Sequence, residues 1–305
     1  MQDLKTALGG VSGILATPFD AAGKLAPERQ APIVERALAA GVHVLTANGN
    51  TGEFYSLTTD EALAMVQSAA QHIAGRCPLV AGVGRALPDA CRLAEASEKA
   101  GASALMVHQP PDPFVAPRGI RAYVEEVSRA APSLPLVLYL RNDGIGISAI
   151  ADLCSAPKVV AVKWATPNPM HLKKAIDVSP GHIIWVGGLA EVWAPPLYAV
   201  GARGFTSGLI NVWPERSVAI WNALEADRLT EARALIAEMQ VFEDIRAEEQ
   251  GGANVAGVKA ALALMGEDCG GVRPPGAWPL TPNQLDRLEA FLQSNGLLPA
   301  ERKAS

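Results

Sequence analysis

Lys163 stands in the run Val159-Val160-Ala161-Val162-Lys163-Trp164, an apolar stretch in which an ammonium loses hydration. Desolvation favours the neutral amine and lowers its pKa. A neutral amine near pH 7 is a nucleophile for a carbonyl carbon. The plainer alternative is a strand-end lysine whose stem lies along apolar surface while its head reaches water. Two other groups could join imine chemistry: Tyr139, with Arg141 two residues on, and the turn Gly49-Asn50-Thr51-Gly52-Glu53. A phenol can move a proton, an arginine fork suits a carboxylate, and glycines let backbone amides approach an anion. None of these is specific alone.

The elements that must position them are short apolar runs alternating with longer amphipathic ones. Strand candidates are Ile14–Thr17, Val42–Thr46, Leu79–Val83, Ala104–Val107, Leu136–Tyr139, Val159–Lys163, Ile183–Val186 and Gly204–Ser207. Their Val, Ile, Leu and Ala content fits strands covered on both faces. Between and after them the spacing predicts helices over Pro27–Ala40, Asp60–Ala74, Asp89–Ala100, Arg118–Ala131, Ser148–Cys154, Pro169–Asp177, Glu191–Val200 and Pro214–Ala226. Gly41, Gly75, Gly101 and Gly201 follow helical runs where a left-handed residue commonly ends a helix. Eight such units define an α/β fold, a (β/α)8 TIM barrel over residues 1–227 that holds the active site. A doubly wound sheet is the alternative, but no glycine-rich phosphate turn follows the first strand. Beyond Ala226 the alternation stops. Leu229–Ile245, Asn254–Met265 and Thr281–Ser294 read as helices of a C-terminal appendage, residues 228–305, broken by the Pro/Gly-rich stretch Gly270–Gly276.

In such a barrel the chemistry lies at the C-terminal ends of the strands. Those ends deliver Thr17, the Gly49–Glu53 turn, Arg85, His108, Tyr139 with Arg141, Lys163, Gly187-Gly188, and Thr206-Ser207. Lys163, Tyr139 and Thr51 are the candidate catalytic groups. Gly49, Asn50, Gly52, Arg141, Gly188, Thr206 and Ser207 are candidates for binding substrate. Structural readings stand beside these. Thr51 and Glu53 could cap the next helix, the favoured role for Glu53. Gly49 and Gly52 could serve turn geometry alone, and Gly187 and Gly188 could merely end a strand. His43 and His108 read as packed or hydrogen-bonded structural residues, and Arg141 could hold a surface salt bridge, leaving Arg85 as the other cation for substrate.

Composition removes several function classes. A formal net charge of −5, with no basic stripe, argues against nucleic-acid binding. No apolar run reaches spanning length and no signal peptide is visible, so the expected place is the cytoplasm and no membrane partner is expected. Cys77, Cys91, Cys154 and Cys269 are scattered, as buried thiols in a reducing compartment would be. No His/Cys/Asp set has metal-ligand spacing. Neither a metal nor an organic cofactor is expected.

The turn Gly49–Glu53, Tyr139 and Lys163, in this order at these strand ends, resemble the dihydrodipicolinate synthase / N-acetylneuraminate lyase family of Schiff-base lyases. Gly13–Phe19, Gly201–Ser207 and Asn211 are similar to further family segments. The resemblance covers nearly the whole chain. It implies a TIM barrel assembled as a homo-oligomer, a dimer or a tetramer built from two dimers. It also implies an imine between Lys163 and a small 2-keto acid such as pyruvate, proton relay through Tyr139 and Thr51, and a substrate carboxylate held by the Gly49–Gly52 loop.

Departures narrow the substrate. Asn50 stands where the family commonly has Thr, and Tyr139 is followed by Leu140-Arg141-Asn142 in place of Asn-x-Pro. Dihydrodipicolinate synthases carry an arginine at the position near Gly144, and a tyrosine pair where this chain has Pro110-Pro111. The 5-dehydro-4-deoxyglucarate dehydratase branch is the nearest: Thr51–Thr58, Tyr139–Asp143 and Val272–Pro275 are similar to its segments, while Trp164 replaces an Asp. A dehydratase-like lyase on a keto-deoxy sugar acid is therefore the expectation. A 4-hydroxy-tetrahydrodipicolinate synthase and a barrel that binds a keto acid without turnover are the alternatives.

Overall fold

A computed structural model describes residues 3–299. A short helix α1 (Leu4–Leu8) precedes eight parallel strands that close in sequence order, with β1 hydrogen-bonded to β8. The strands are β1 (Val11–Ile14), β2 (Val44–Ala47), β3 (Leu79–Val83), β4 (Ala104–His108), β5 (Leu136–Leu140), β6 (Val159–Trp164), β7 (Ile184–Gly187) and β8 (Phe205–Ser207). Their outward side chains meet α2 (Ala31–Ala39), α3 (Thr59–Ile73), α4 (Leu87–Lys99), α5 (Pro117–Ala130), α6 (Ile147–Cys154), α7 (Pro169–Val178), α8 (Ala194–Ala199) and α9 (Pro214–Glu225). This is the (β/α)8 barrel the alternation implied.

The boundaries that move have local causes. β1 begins three residues earlier than expected and includes Gly13, where a Cβ would lie 2.7 Å from the Ile210 side chain. Thr17 and Pro18 therefore belong to the loop beyond the strand. The expected Pro27–Ala40 helix divides into a 3-10 turn at Pro27–Gln30 and α2. The expected Glu191–Val200 helix divides likewise into Glu191–Trp193 and α8. In both cases prolines fall in the first α-turn, where the missing N–H costs nothing. α1 was not expected at all. Its Ala7 and Leu8 join Val44, Val80, Ala104, Met106, Val137 and Ala161 inside the barrel and close its lower end.

Thr58, not Thr51 or Glu53, caps α3. Its side chain accepts from Glu61 N while the Glu61 carboxylate accepts from Thr58 N, a reciprocal pair that satisfies two free donors. Gly41, Gly75, Gly101 and Gly201 all have positive φ at their helix ends.

The appendage folds as α10 (Leu229–Ala247), α11 (Asn254–Leu264) and α12 (Pro282–Ser294). It is tied to the barrel mouth at several points. Phe19 N donates to Cys269 O at 2.9 Å, Arg36 pairs with Glu267, and Arg273 pairs with Glu61. Lys259, at the centre of the apolar α11, is fully buried and lies 2.5 Å from Glu53. Among the described residues all four cysteines are free thiols, and no helix is long and apolar enough to cross a membrane.

Candidate active site

Alternation along β6 sets the inside and the outside. Lys163 points into the barrel, while Trp164 packs outward between His171 and Trp185. The aspartate-to-tryptophan departure therefore never reaches the barrel interior. Lys163 registers against Tyr139 on β5, which registers against His108 on β4. The Lys163 Nζ lies 4.0 Å from the centre of the Tyr139 ring. Asn50 Nδ2 donates to the Tyr139 hydroxyl oxygen at 2.8 Å, which leaves the phenolic O–H free to serve a substrate. His108 is a buried buttress: its Nε2 pairs with Asn48 O at 2.9 Å, and its ring stacks on Phe54. His43 is structural too, accepting from Val11 N and resting on Trp221.

The electrostatics follow from burial. Lys163 is buried and its pKa falls to about 7, first because the ammonium is desolvated and then because the Arg141 cation repels it. Among the described residues no carboxylate offsets either effect. Burial pushes the Tyr139 phenol up to about 12, so it keeps its proton at neutral pH and can act as an acid. Near neutral pH Lys163 is thus able to stand as a free amine beside a protonated phenol, the pairing that attack on a carbonyl and loss of its oxygen require.

These groups open on a cavity of about 460 Å³. Asn50, Thr51, Tyr139, Arg141, Lys163, Gly188 and Thr206 all line it. Gly188 admits no side chain, since a Cβ would sit 2.8 Å from Ala165 and from the Trp164 carbonyl. Arg141 is held over the mouth by Gln109, whose Oε1 accepts from both Arg141 N and Asn142 N at 2.8 Å.

Other candidates lie elsewhere. Gly49 and Gly52 build the turn from behind: a Cβ on Gly49 would lie 2.4 Å from Ile14, and Gly52 O accepts from the Thr17 hydroxyl. Ser207 faces the outer layer, where its hydroxyl pairs with Ser217 at 3.0 Å, so strand alternation separates it from Thr206. Arg85 also turns away, donating to Phe54 O and lying over the Phe54 ring. Of the two arginines, Arg141 is the one at the cavity. Glu53 takes its structural role as the partner of Lys259 and as acceptor from Arg273 N at 2.9 Å, not as a cap.

The cavity is not confined to residues 1–227. Gln240, Glu243, Asp244, Arg246 and Asn254 of the appendage line its upper wall. Sequence reasoning missed them because Glu243 and Arg246, three apart on a helix, carry the pattern of an ordinary surface pair. The near signal was the density of charge just before the Gly251-Gly252 break.

Fold and site together define a β/α-barrel enzyme with a buried amine at the C-terminal ends of its strands. The profile of the Dihydrodipicolinate synthetase family matches residues 7–295, and the chain belongs to that family; it is a lyase. A probable 5-dehydro-4-deoxyglucarate dehydratase of Xanthobacter autotrophicus is 35% identical, over 90% of this chain and 92% of its own. One from Polaromonas naphthalenivorans is 30% identical, over 97% and 98%. Among solved structures, dihydrodipicolinate synthase from Bacillus clausii superposes with a TM-score of 0.92 at 32% identity, over 97% of this chain and 100% of that one.

Proposed function

We propose that the chain is a dehydratase that acts on a keto-deoxy sugar diacid of the 5-dehydro-4-deoxyglucarate type through an imine on Lys163. The observation that carries this reading is Lys163 itself: buried, without a counter-ion, 4.0 Å from the ring of Tyr139 and in one cavity with Arg141. The names of the relatives above support the choice of substrate.

The neutral Lys163 amine adds to the keto carbon, and Tyr139 gives a proton to the departing carbonyl oxygen as water leaves. The resulting cationic imine draws electrons from the adjacent methylene, which loses a proton. The enamine so formed expels the hydroxyl one carbon further on, with a second proton, as water. Each carbon–hydrogen and carbon–oxygen bond broken is thus balanced by the new double bond and one water. Hydrolysis of the imine then frees Lys163. Arg141, at the mouth, receives the distal carboxylate as a two-pronged ion pair in this reading.

The test is turnover of 5-dehydro-4-deoxyglucarate, followed by loss of substrate and compared with the matching mono-acid. The expected result is turnover by wild type, preference for the diacid, and no turnover by Lys163→Ala. A wild-type protein that forms an adduct with pyruvate yet turns over neither acid would be a binder, and the reading would fall.

A further inference from the structure

The upper wall of the cavity contains a guanidinium for which the fold has cleared space. Arg246, only 4% exposed, lies across the end of β8: a Cβ on Gly208 would be 2.3 Å from its Nη2, and one on Gly257 would be 3.0 Å from its Cγ. Three of its five N–H bonds are used. Nε donates to Asn254 O at 3.3 Å, Nη2 to Asn254 Oδ1 at 2.9 Å, and Nη1 to the Glu243 carboxylate. The other two have no protein acceptor among the described residues, and Arg246, Glu243 and Asn254 all border the cavity.

Charge separates this arginine from Arg141. Arg141 forms no ion pair among the described residues and suits an anion. Arg246 is already neutralised by Glu243, so a second carboxylate would meet both signs. A hydroxyl group needs a donor and an acceptor together, and the pair presents an N–H beside a carboxylate oxygen. Glu191, buried and accepting from the Ser217 hydroxyl, is driven towards its protonated form by burial and then by the Glu243 charge, which weakens it as a competing anion.

We infer that Arg246 and Glu243, set by Asn254, form a subsite that reads the hydroxyl groups of the substrate chain between the keto end on Lys163 and the carboxylate at Arg141. The inference rests on the imine reading above and extends it from the barrel to the appendage. Arg246 thereby becomes a specificity residue.

The probes are 2-oxopentanoate and 5-hydroxy-2-oxopentanoate, which differ in one hydroxyl that the enamine does not expel. Each is titrated against the pyruvate adduct that borohydride traps, and the half-protecting concentrations are compared. Wild type should favour the hydroxylated probe at least tenfold. Arg246→Met should bring the ratio to within threefold of unity. Arg246→Lys keeps the charge beside Glu243 but cannot reach both Asn254 and the cavity, so it should lower the ratio as well. Should the Met variant fail to fold, the wild-type ratio and the Lys variant decide. A wild-type ratio near one, or a ratio unchanged in a variant that still traps pyruvate, overturns the subsite. Absence of any pyruvate adduct in wild type would instead overturn the imine reading.

Discussion

Two lysines of this chain share almost every local property except one. Lys163 on β6 and Lys259 on α11 are both buried, both sit in apolar runs, and both place Nζ about a ring's contact distance from an aromatic centre, 4.0 Å from Tyr139 and 4.2 Å from Phe19. The difference is the partner. Lys259 has Glu53 at 2.5 Å and donates to Gly271 O at 2.8 Å, so the pull of burial on its pKa is opposed by an adjacent anion. Among the described residues Lys163 has only a second cation, Arg141, which adds to the effect of burial. Burial alone does not make a lysine a nucleophile; burial without a counter-charge, next to an acid and open to a cavity, does. The paired lysine fastens the appendage to the turn that carries Asn50 and Thr51, and the unpaired one opens on the cavity.

The contrast can be broken from either side. Tyr139→Phe removes the acid beside Lys163 while keeping the ring under its Nζ. Folding should be normal by circular dichroism, and turnover should fall by about a hundredfold or more. An unchanged rate would reduce Tyr139 to packing. Lys259→Met acts on the other lysine and leaves Glu53 buried without its charge partner. Stability should fall by about 3 kcal/mol, measured by denaturant unfolding, while the protein that remains folded still traps pyruvate. Loss of trapping in that folded fraction would mean that the two lysines are not separable in role.

The smallest effects sharpen the electrostatics. The trapping rate should rise as pH passes through about 7, where the Lys163 ammonium gives up its proton, and level off above it. A rate still climbing steeply at pH 9 would mean an ordinary lysine. In Arg141→Ala a repelling cation is gone, so the ammonium is easier to keep and the rise should move to higher pH. The same variant should lose about tenfold of its preference for diacid over mono-acid, the scale of one charge-assisted contact.

Lys163 and Lys259 also mark what sequence could reveal. A lysine in an apolar run is the same signal at both positions. Only the strand-end location on a barrel distinguishes Lys163, and that location was legible because eight buried strands alternate with helices at a regular spacing. Tyr139, Thr51 and Arg141 line the cavity, where the same logic expected them. It failed for Ser207, since neighbours on a strand face opposite sides and β8 is too short for its phase to be read from three residues. It could not reach Arg246 or Glu243, because a helix that leaves the repeating pattern gives no sign of which barrel face it will cover. The Glu53–Lys259 pair joins residues far apart in sequence, and no periodicity encodes that meeting.

If the counter-charge decides reactivity, one buried lysine should react with a keto acid and the other should not. Pyruvate and borohydride should be added to the folded wild-type protein at pH 7.5, and the digested product mapped by mass spectrometry. The expected result is a single reduced adduct on the peptide carrying Lys163, none on the peptide carrying Lys259, and none anywhere in Lys163→Ala. An adduct on Lys259, or one that persists at equal yield in Lys163→Ala, would contradict it.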